Sequence, residues 1–163
     1  MSIDFSKITC LVLDVDGVLT NNTLICTDEG QLWRTMHARD GYGMVKAVQH
    51  GITICIITGG GSEGVLMRLG KLGLVHIYDK VQDKKKVLNN FMDAHKISSE
   101  CIAYIGDDIP DMKAMQLCAI KCCPNDAVEE ISNIADYICI HDGGKGCVRE
   151  VIELILKAKN LWN

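Results

Sequence analysis

Four short segments of this 163-residue chain carry side chains able to do chemistry: Asp14-Val15-Asp16-Gly17, Thr58-Gly59, Lys84 and Gly106-Asp107-Asp108-Ile109-Pro110-Asp111. Two carboxylates two residues apart can take different tasks when the first sits on the last rigid position of a strand and the second on the turn beyond it. Asp14 is then suited to attack a phosphorus atom, and Asp16 to protonate the leaving oxygen and later to deprotonate a water. A carboxylate approaching a phosphate dianion meets a repulsion of about 4 kcal/mol per unit-charge pair at 4 Å and an effective dielectric near 20. A hard divalent cation with oxygen ligands offsets that repulsion, Asp107 supplies a second carboxylate opposite Asp14, and Mg2+ suits such a ligand set. Lys84 adds a permanent positive charge, and the Thr58 hydroxyl with the Gly59 N–H can bind the equatorial phosphoryl oxygens.

Each segment alone has an ordinary reading. An Asp-x-Asp-Gly stretch can be a calcium-like turn or a helix cap, and Lys84 heads a run of three lysines of the kind that starts a solvated helix. Asp108 and Asp111 can cap the following helix as well as touch a metal. The chemical reading is favoured by the joint order of acid pair, Thr-Gly, Lys and Gly-Asp-Asp, each at a strand or helix end.

The elements that must position these groups follow from hydrophobic patterning. Apolar runs at 8–13, 52–57, 101–105 and 137–140 end in small or acidic residues, and helical spacing recurs around 42–50, 62–72, 84–95, 112–117, 127–135 and 147–159. This alternation predicts an α/β fold, a doubly wound (Rossmann-like) parallel sheet between helices, with its ligand crevice beyond the carboxyl ends of the strands. Glycines 59 to 61 open a helix N-terminus, a place that favours anions. Residues 19–39 break the alternation: turn signals at Asn21-Asn22 and Asp28-Glu29-Gly30 predict a β-hairpin with strands near 23–26 and 32–36. No segment is long enough for a cap domain, so the chain reads as one unit over 1–163.

The net charge is −4 and the basic residues are scattered apart from Lys84-Lys85-Lys86, which argues against a nucleic-acid partner. No apolar run approaches the about 18 residues that a membrane span needs, and the first residues lack an export pattern, so a cytoplasmic protein is expected. Nine cysteines occur without a CxxC spacing, several of them inside apolar runs, and read as structural thiols in a reducing compartment.

Together the four segments resemble the motifs of the haloacid dehalogenase superfamily, and the hairpin, Arg39-Asp40-Gly41-Tyr42-Gly43 and the tail 142–150 extend the resemblance over nearly the whole chain toward its capless branch. The resemblance implies an aspartyl-phosphate on Asp14, acid/base work by Asp16, and Mg2+ held by Asp14, Asp107 and the Asp16 main-chain carbonyl. It implies a phosphorylated sugar-acid substrate, an eight-carbon keto acid 8-phosphate or its nine-carbon counterpart. It also implies a homotetramer in which hairpins pair and a neighbour's tail covers the site. His37, Arg39, Asp40, Gly41 and Arg68 are then expected to line the substrate pocket with Gly59. The loop 143–146 reads as flexible, with Lys145 able to reach a neighbour's substrate, although an ordinary surface turn fits it as well. Two positions depart from many relatives, which carry arginine where this chain has Gly60 and Val45; either other groups hold the sugar acid or the preferred sugar phosphate differs.

Two other classes fit parts of the pattern. A non-catalytic oligomerisation module of the same fold is disfavoured because Asp14, Asp16, Thr58, Lys84 and Asp107 all stand in place. A phosphorelay receiver groups similar residues but places its phosphoacceptor on a later strand than its acid pair.

Overall fold

A computed structural model describes residues 3–162; residues 1, 2 and 163, the ends of the expected 1–163 unit, lie outside the described residues. After a 3-10 turn at Phe5–Lys7, strand β1 (Cys10–Leu13) enters the centre of the sheet. A hairpin follows, β2 (Ile25–Cys26) against β3 (Leu32–Trp33), then α1 (Ala38–Gln49), β4 (Thr53–Ile57), α2 (Glu63–Lys71), β5 (His76–Tyr78) and α3 (Lys84–His95). The chain returns through β6 (Ile102–Ile105), α4 (Ile109–Met115), β7 (Ile120–Cys123), α5 (Glu129–Ser132), β8 (Tyr137–Ile138) and α6 (Cys147–Ala158). The sheet order is β5-β4-β1-β6-β7-β8 and every pairing in it is parallel. The chain winds outward from β1 first to one side and then to the other, so the strand order reverses at β1, where such sheets open a crevice.

Strand alternation explains the two cores. Leu11, Leu13, Ile54, Ile56, Ala103 and Ile105 face one side and pack with Met44 of α1, Leu69 of α2 and Val151 and Ile152 of α6. Cys10, Val12, Cys55, Ile57, Ile102 and Tyr104 face the other and pack with Leu88 and Phe91 of α3, Ala114 of α4 and Ile131 of α5. Burial on both faces is why the central strands read as unbroken apolar runs.

The expected doubly wound sheet is present, with two strands more than the four apolar runs. β5 is three residues long and half-buried, and β7 contains Lys121 among apolar residues, so neither makes a clean run. β8 stops at Ile138, short of the expected 140. α1 begins at Ala38 rather than near 42: Gly41 and Gly43 look like loop residues but lie inside the helix, where a Cβ on Gly43 would stand 3.0 Å from the Arg149 side chain. α4 begins at Ile109 rather than 112, because Asp108 caps it and Pro110 fits its first turn.

The cysteines are all free, and seven of the nine are buried; Cys101 is half-buried and Cys26, in the hairpin, is exposed. Burial pushes the thiols of Cys10 and Cys118 up to about 12.

The glycines of the tail loop serve close packing, which favours the ordinary turn of the two readings over the flexible one. The Gly143 N–H donates to Asp126 Oδ1 at 2.8 Å and the Gly144 N–H to the Val18 carbonyl at 2.9 Å, so the loop is pinned to the turn that follows β1. A Cβ on Gly143 would fall 1.9 Å from the Gly17 carbonyl oxygen, a backbone atom that cannot move away alone. Gly143→Ala should therefore lower the urea midpoint, by about 2 kcal/mol of stability or more. A variant as stable as the parent would show that this backbone contact is dispensable.

Candidate active site

The four segments converge at the carboxyl ends of the central strands. Asp14 is the first residue after β1; its N–H donates to the Ile105 carbonyl at 3.1 Å, which extends the ladder to β6 and fixes where the side chain leaves the sheet. Its Oδ1 accepts the Val15 N–H at 2.7 Å and its Oδ2 lies 2.9 Å from Lys84 Nζ. Thr58, the first residue after β4, is buried, and its Oγ1 accepts the Gly60 N–H at 3.2 Å. Gly59 and Gly60 then lead toward α2, whose first turn is capped by Ser62 accepting the Val65 N–H. Asp14, Asp16, Thr58, Gly59, Lys84 and Asp107 all line one open cavity of about 350 Å³.

Lys84 is the first residue of α3, capped by Asp83, and it is buried although Lys85 and Lys86 beside it are exposed. Its ammonium bridges Asp14 and Asp111, at 2.7 Å from Asp111 Oδ1. Asp111 is fully buried in the first turn of α4, and it also accepts the Tyr104 hydroxyl at 2.8 Å and the Asp107 N–H at 3.2 Å. It neither caps a helix nor stands free; it anchors Lys84. Asp108 takes the capping place instead.

Asp14, Asp107 and Asp111 each offer an oxygen within 4.8 Å of the others, three buried carboxylates against the one ammonium of Lys84. Asp107 Oδ1 is buried without a hydrogen-bond partner. An orphaned carboxylate oxygen beside a surplus of negative charge is what a hard divalent cation would satisfy, so these residues fit one. Gly17 makes room for the cluster: its φ is +90° and a Cβ there would fall 1.9 Å from Asp107 Oδ2.

Three side chains at the site carried no chemical signal in the sequence, Asn22 having been read only as a turn residue. Asn22 Nδ2 lies 3.5 Å from Asp107 Oδ2, Tyr104 sits inside an apolar strand, and Arg34 of the hairpin forms a two-toothed pair with Asp16.

Of the residues expected to hold the substrate, Gly59 joins the carboxylates, and the others do not within one chain. His37, Arg39 and Lys145 line a separate cavity of about 630 Å³, and Arg68 lines a third, of about 810 Å³, between the hairpin and α2. Gly41 lies inside α1, where a Cβ would stand 2.8 Å from Arg68 Nη2. Asp40 is buried, and its Oδ1 accepts the Arg149 N–H at 2.7 Å, tying α1 to α6. Its Oδ2 lies 3.7 Å from His37 Nδ1.

The electrostatics follow from this crowding. Burial, and next the charge of Asp111, push the Asp14 carboxyl up to about 7 despite Lys84. Burial, and then Asp14 and Asp111, push Asp107 up to about 8. Burial opposes the charge on Lys84, but Asp14 and Asp111 outweigh it and its pKa stands raised.

Comparison with known proteins was consistent across sequence and structure. Residues 38–124 match the family model described as Haloacid dehalogenase-like hydrolase. The chain is 35% identical to the 3-deoxy-D-manno-octulosonate 8-phosphate phosphatase of Salmonella typhi, over 94% of this chain and 81% of that protein. It superposes with a TM-score of 0.94 on the crystal structure of the same phosphatase from Yersinia pestis, at 31% identity over 97% of this chain and 85% of the other. The Moraxella catarrhalis phosphatase, determined in complex with a magnesium ion, a phosphate ion and a KDO molecule, gives a TM-score of 0.93 at 37% identity over 96% and 90% of the two chains.

A carboxyl with a raised native pKa binds its proton more tightly folded than unfolded, where it titrates near 4. Asp14 and Asp107 therefore favour the metal-free fold at low pH, and that contribution is lost as pH rises through about 7 and about 8. Lys84, raised above the ordinary lysine range, contributes evenly across this window. In the presence of a chelator the melting temperature should fall between pH 5.5 and 8.5, and excess Mg2+ should remove most of the fall. A profile with chelator that is flat or rises would contradict the crowded-carboxylate picture.

Proposed function

This chain belongs to the haloacid dehalogenase-like hydrolase family, and from that premise we propose that it is a magnesium-dependent phosphomonoesterase of 3-deoxy-D-manno-octulosonate 8-phosphate, acting in lipopolysaccharide biosynthesis. The observation that carries the reading is the buried Asp14–Lys84–Asp111 bridge with the unsatisfied Asp107 Oδ1 beside it. Similarity over nearly the whole chain to phosphatases of that substrate, one of them holding magnesium, phosphate and KDO, supports it.

In this reading Asp14 is the nucleophile. One of its carboxylate oxygens forms a bond to phosphorus as the bond from phosphorus to the sugar oxygen breaks, and Asp16 gives that oxygen its proton. Water then attacks phosphorus, its proton passes to Asp16, and the bond from Asp14 to phosphorus breaks. The products are the free sugar acid and inorganic phosphate. Thr58 and the Gly59 N–H hold the phosphoryl oxygens, and Lys84 offsets their charge while keeping Asp14 in place. Mg2+, held by Asp14, Asp107 and the Asp16 carbonyl, supplies the charge that lets a carboxylate meet a phosphate dianion. Arg39, Arg68 and Lys145, with His37, serve the organic part of the substrate, and Asp40 and Gly41, buried in α1, act behind them.

Their separation from the carboxylates within one chain is consistent with a site completed by assembly. We place the protein as a homotetramer joined through the hairpin, whose Leu24, Ile25, Leu32 and Trp33 are exposed apolar side chains. A cytoplasmic setting fits nine free cysteines. No helix among the described residues is long and apolar enough to cross a membrane.

Phosphate release should be fastest on the octulosonate 8-phosphate, slower on the nonulosonate 9-phosphate and on simple sugar phosphates, and absent with a chelator. Preference for the nine-carbon acid would move the substrate assignment, and no release from any of them by folded, metal-loaded protein would remove the enzymatic one. Asp14→Asn should lower kcat on the order of 10³-fold or more with the fold intact, and near-native activity would remove the nucleophile.

A further inference from the structure

Asp16 is held by a residue to which no motif points. Arg34 is the first residue after β3, at the base of the hairpin, and it grips the Asp16 carboxylate with two parallel hydrogen bonds, Nε to Oδ1 at 2.7 Å and Nη2 to Oδ2 at 3.0 Å. The remaining nitrogen, Nη1, donates to the Leu32 carbonyl at 3.0 Å, so the guanidinium is fixed by its own strand before it meets Asp16. The Arg34 side chain is 5% exposed and that of Asp16 is 27% exposed. Asp16 lines the cavity of Asp14, whereas Arg34 lines the cavity of Arg68 and a small space beside Asp16, and not that of Asp14. The arginine thus reaches the reacting atoms through Asp16 and not directly.

The backbone opposite is shaped for this pair. A Cβ on Gly60 would stand 3.0 Å from Asp16 Oδ2 and 3.2 Å from Arg34 Nη2, so a side chain at 60 presses on the fork. Apart from Arg34, the Asp16 carboxylate is met by the Thr20 hydroxyl at 3.5 Å, a contact too long to fix its plane.

We propose that Arg34 is the positioning residue for the proton-transfer group, fixing both side-chain torsions of Asp16 from the hairpin and thereby making the hairpin part of the catalytic apparatus. The inference rests on the phosphatase reading with Asp16 as acid and base. A planar two-toothed clamp sets the direction of a carboxylate as a single-point cation does not. General acid help of about 10²- to 10⁴-fold depends on that direction, and a misplacement of about 1 Å can cost on the order of 10²-fold.

The test is the dependence on the leaving group. Arg34→Ala, Arg34→Lys and Gly60→Ala are compared with the parent on three substrates: the octulosonate 8-phosphate, a simple alkyl phosphate without a carboxylate, and p-nitrophenyl phosphate, whose leaving group departs without a proton. Arg34→Ala should lower kcat roughly 10- to 100-fold on both alkyl phosphates with KM within about threefold, and by less than about threefold on the aryl phosphate. Added guanidinium ion should restore part of the loss, Arg34→Lys should recover little, and Gly60→Ala should show the same pattern more weakly.

An equal loss on all three substrates would reduce Arg34 to a structural role, and a KM rise confined to the carboxylate-bearing substrate would make it a substrate contact. No loss at all would make the pair idle. Each of these overturns the proposal while the parent enzyme stays active. A parent without activity overturns the phosphatase reading itself, so the two failures are separable. Should Arg34→Ala not fold, the Lys and Gly60 variants carry the same comparison.

Discussion

One buried ammonium holds this site together. Lys84 is the only cation that touches the cluster of Asp14, Asp107 and Asp111 among the described residues, and it sits between two of the three. A buried ion pair adds little net stability, since each charge loses its hydration; breaking one, however, leaves a bare buried charge, which is costly. The fold accordingly surrounds the bridge with donors. Asp111 accepts from Lys84, Tyr104 and the Asp107 backbone, and Asp14 from Val15, so that most of the carboxylate oxygens are satisfied and one, on Asp107, is left open.

Stability must then come from elsewhere, and the two cores supply it. Alternation along β1, β4 and β6 sends side chains into both helical layers, and the site lies at the strand ends where the layers meet. Each layer contributes to the chemistry. Tyr104 and Lys84 belong to the α3–α4 side, while the loop at 143–144, just ahead of α6, braces the turn after β1 from the other. Asp14, Thr58 and Lys84 stand directly at the ends of elements anchored in these cores, which is the arrangement that positioning by a fold requires.

What the sequence made legible was what depends on local order. Apolar runs marked β1, β4 and β6, and the residues after each run marked Asp14, Thr58 and Asp107, because a parallel sheet places strand ends together whatever the details. The burial of Lys84 was not legible from its neighbours: Lys85 and Lys86 are exposed, and only the packing of the first turn of α3 against α4 turns one lysine of three inward. Asp111, read as an even choice between cap and metal contact, does not cap; it anchors Lys84 within the carboxylate cluster. Arg34 and Tyr104 were invisible for a related reason. Each lies far along the chain from its partner carboxylate or inside an apolar strand, and no spacing rule links residue 34 to residue 16. β5 and β7 were missed because edge position and a polar interruption erase the run of apolar residues that a central strand shows.

The distribution of thiols gives the molecule a built-in address. Thiolate is the form that reacts with alkylating reagents, and burial both hides Cys10 and Cys118 and suppresses that form. Cys26 is instead exposed, on β2 of the hairpin that also carries Arg34. A brief exposure to a thiol-reactive fluorophore would thus mark a hairpin left uncovered and spare one covered by assembly, without any engineered cysteine. The native chain can in this way report on the surroundings of the one segment that stands away from its sheet.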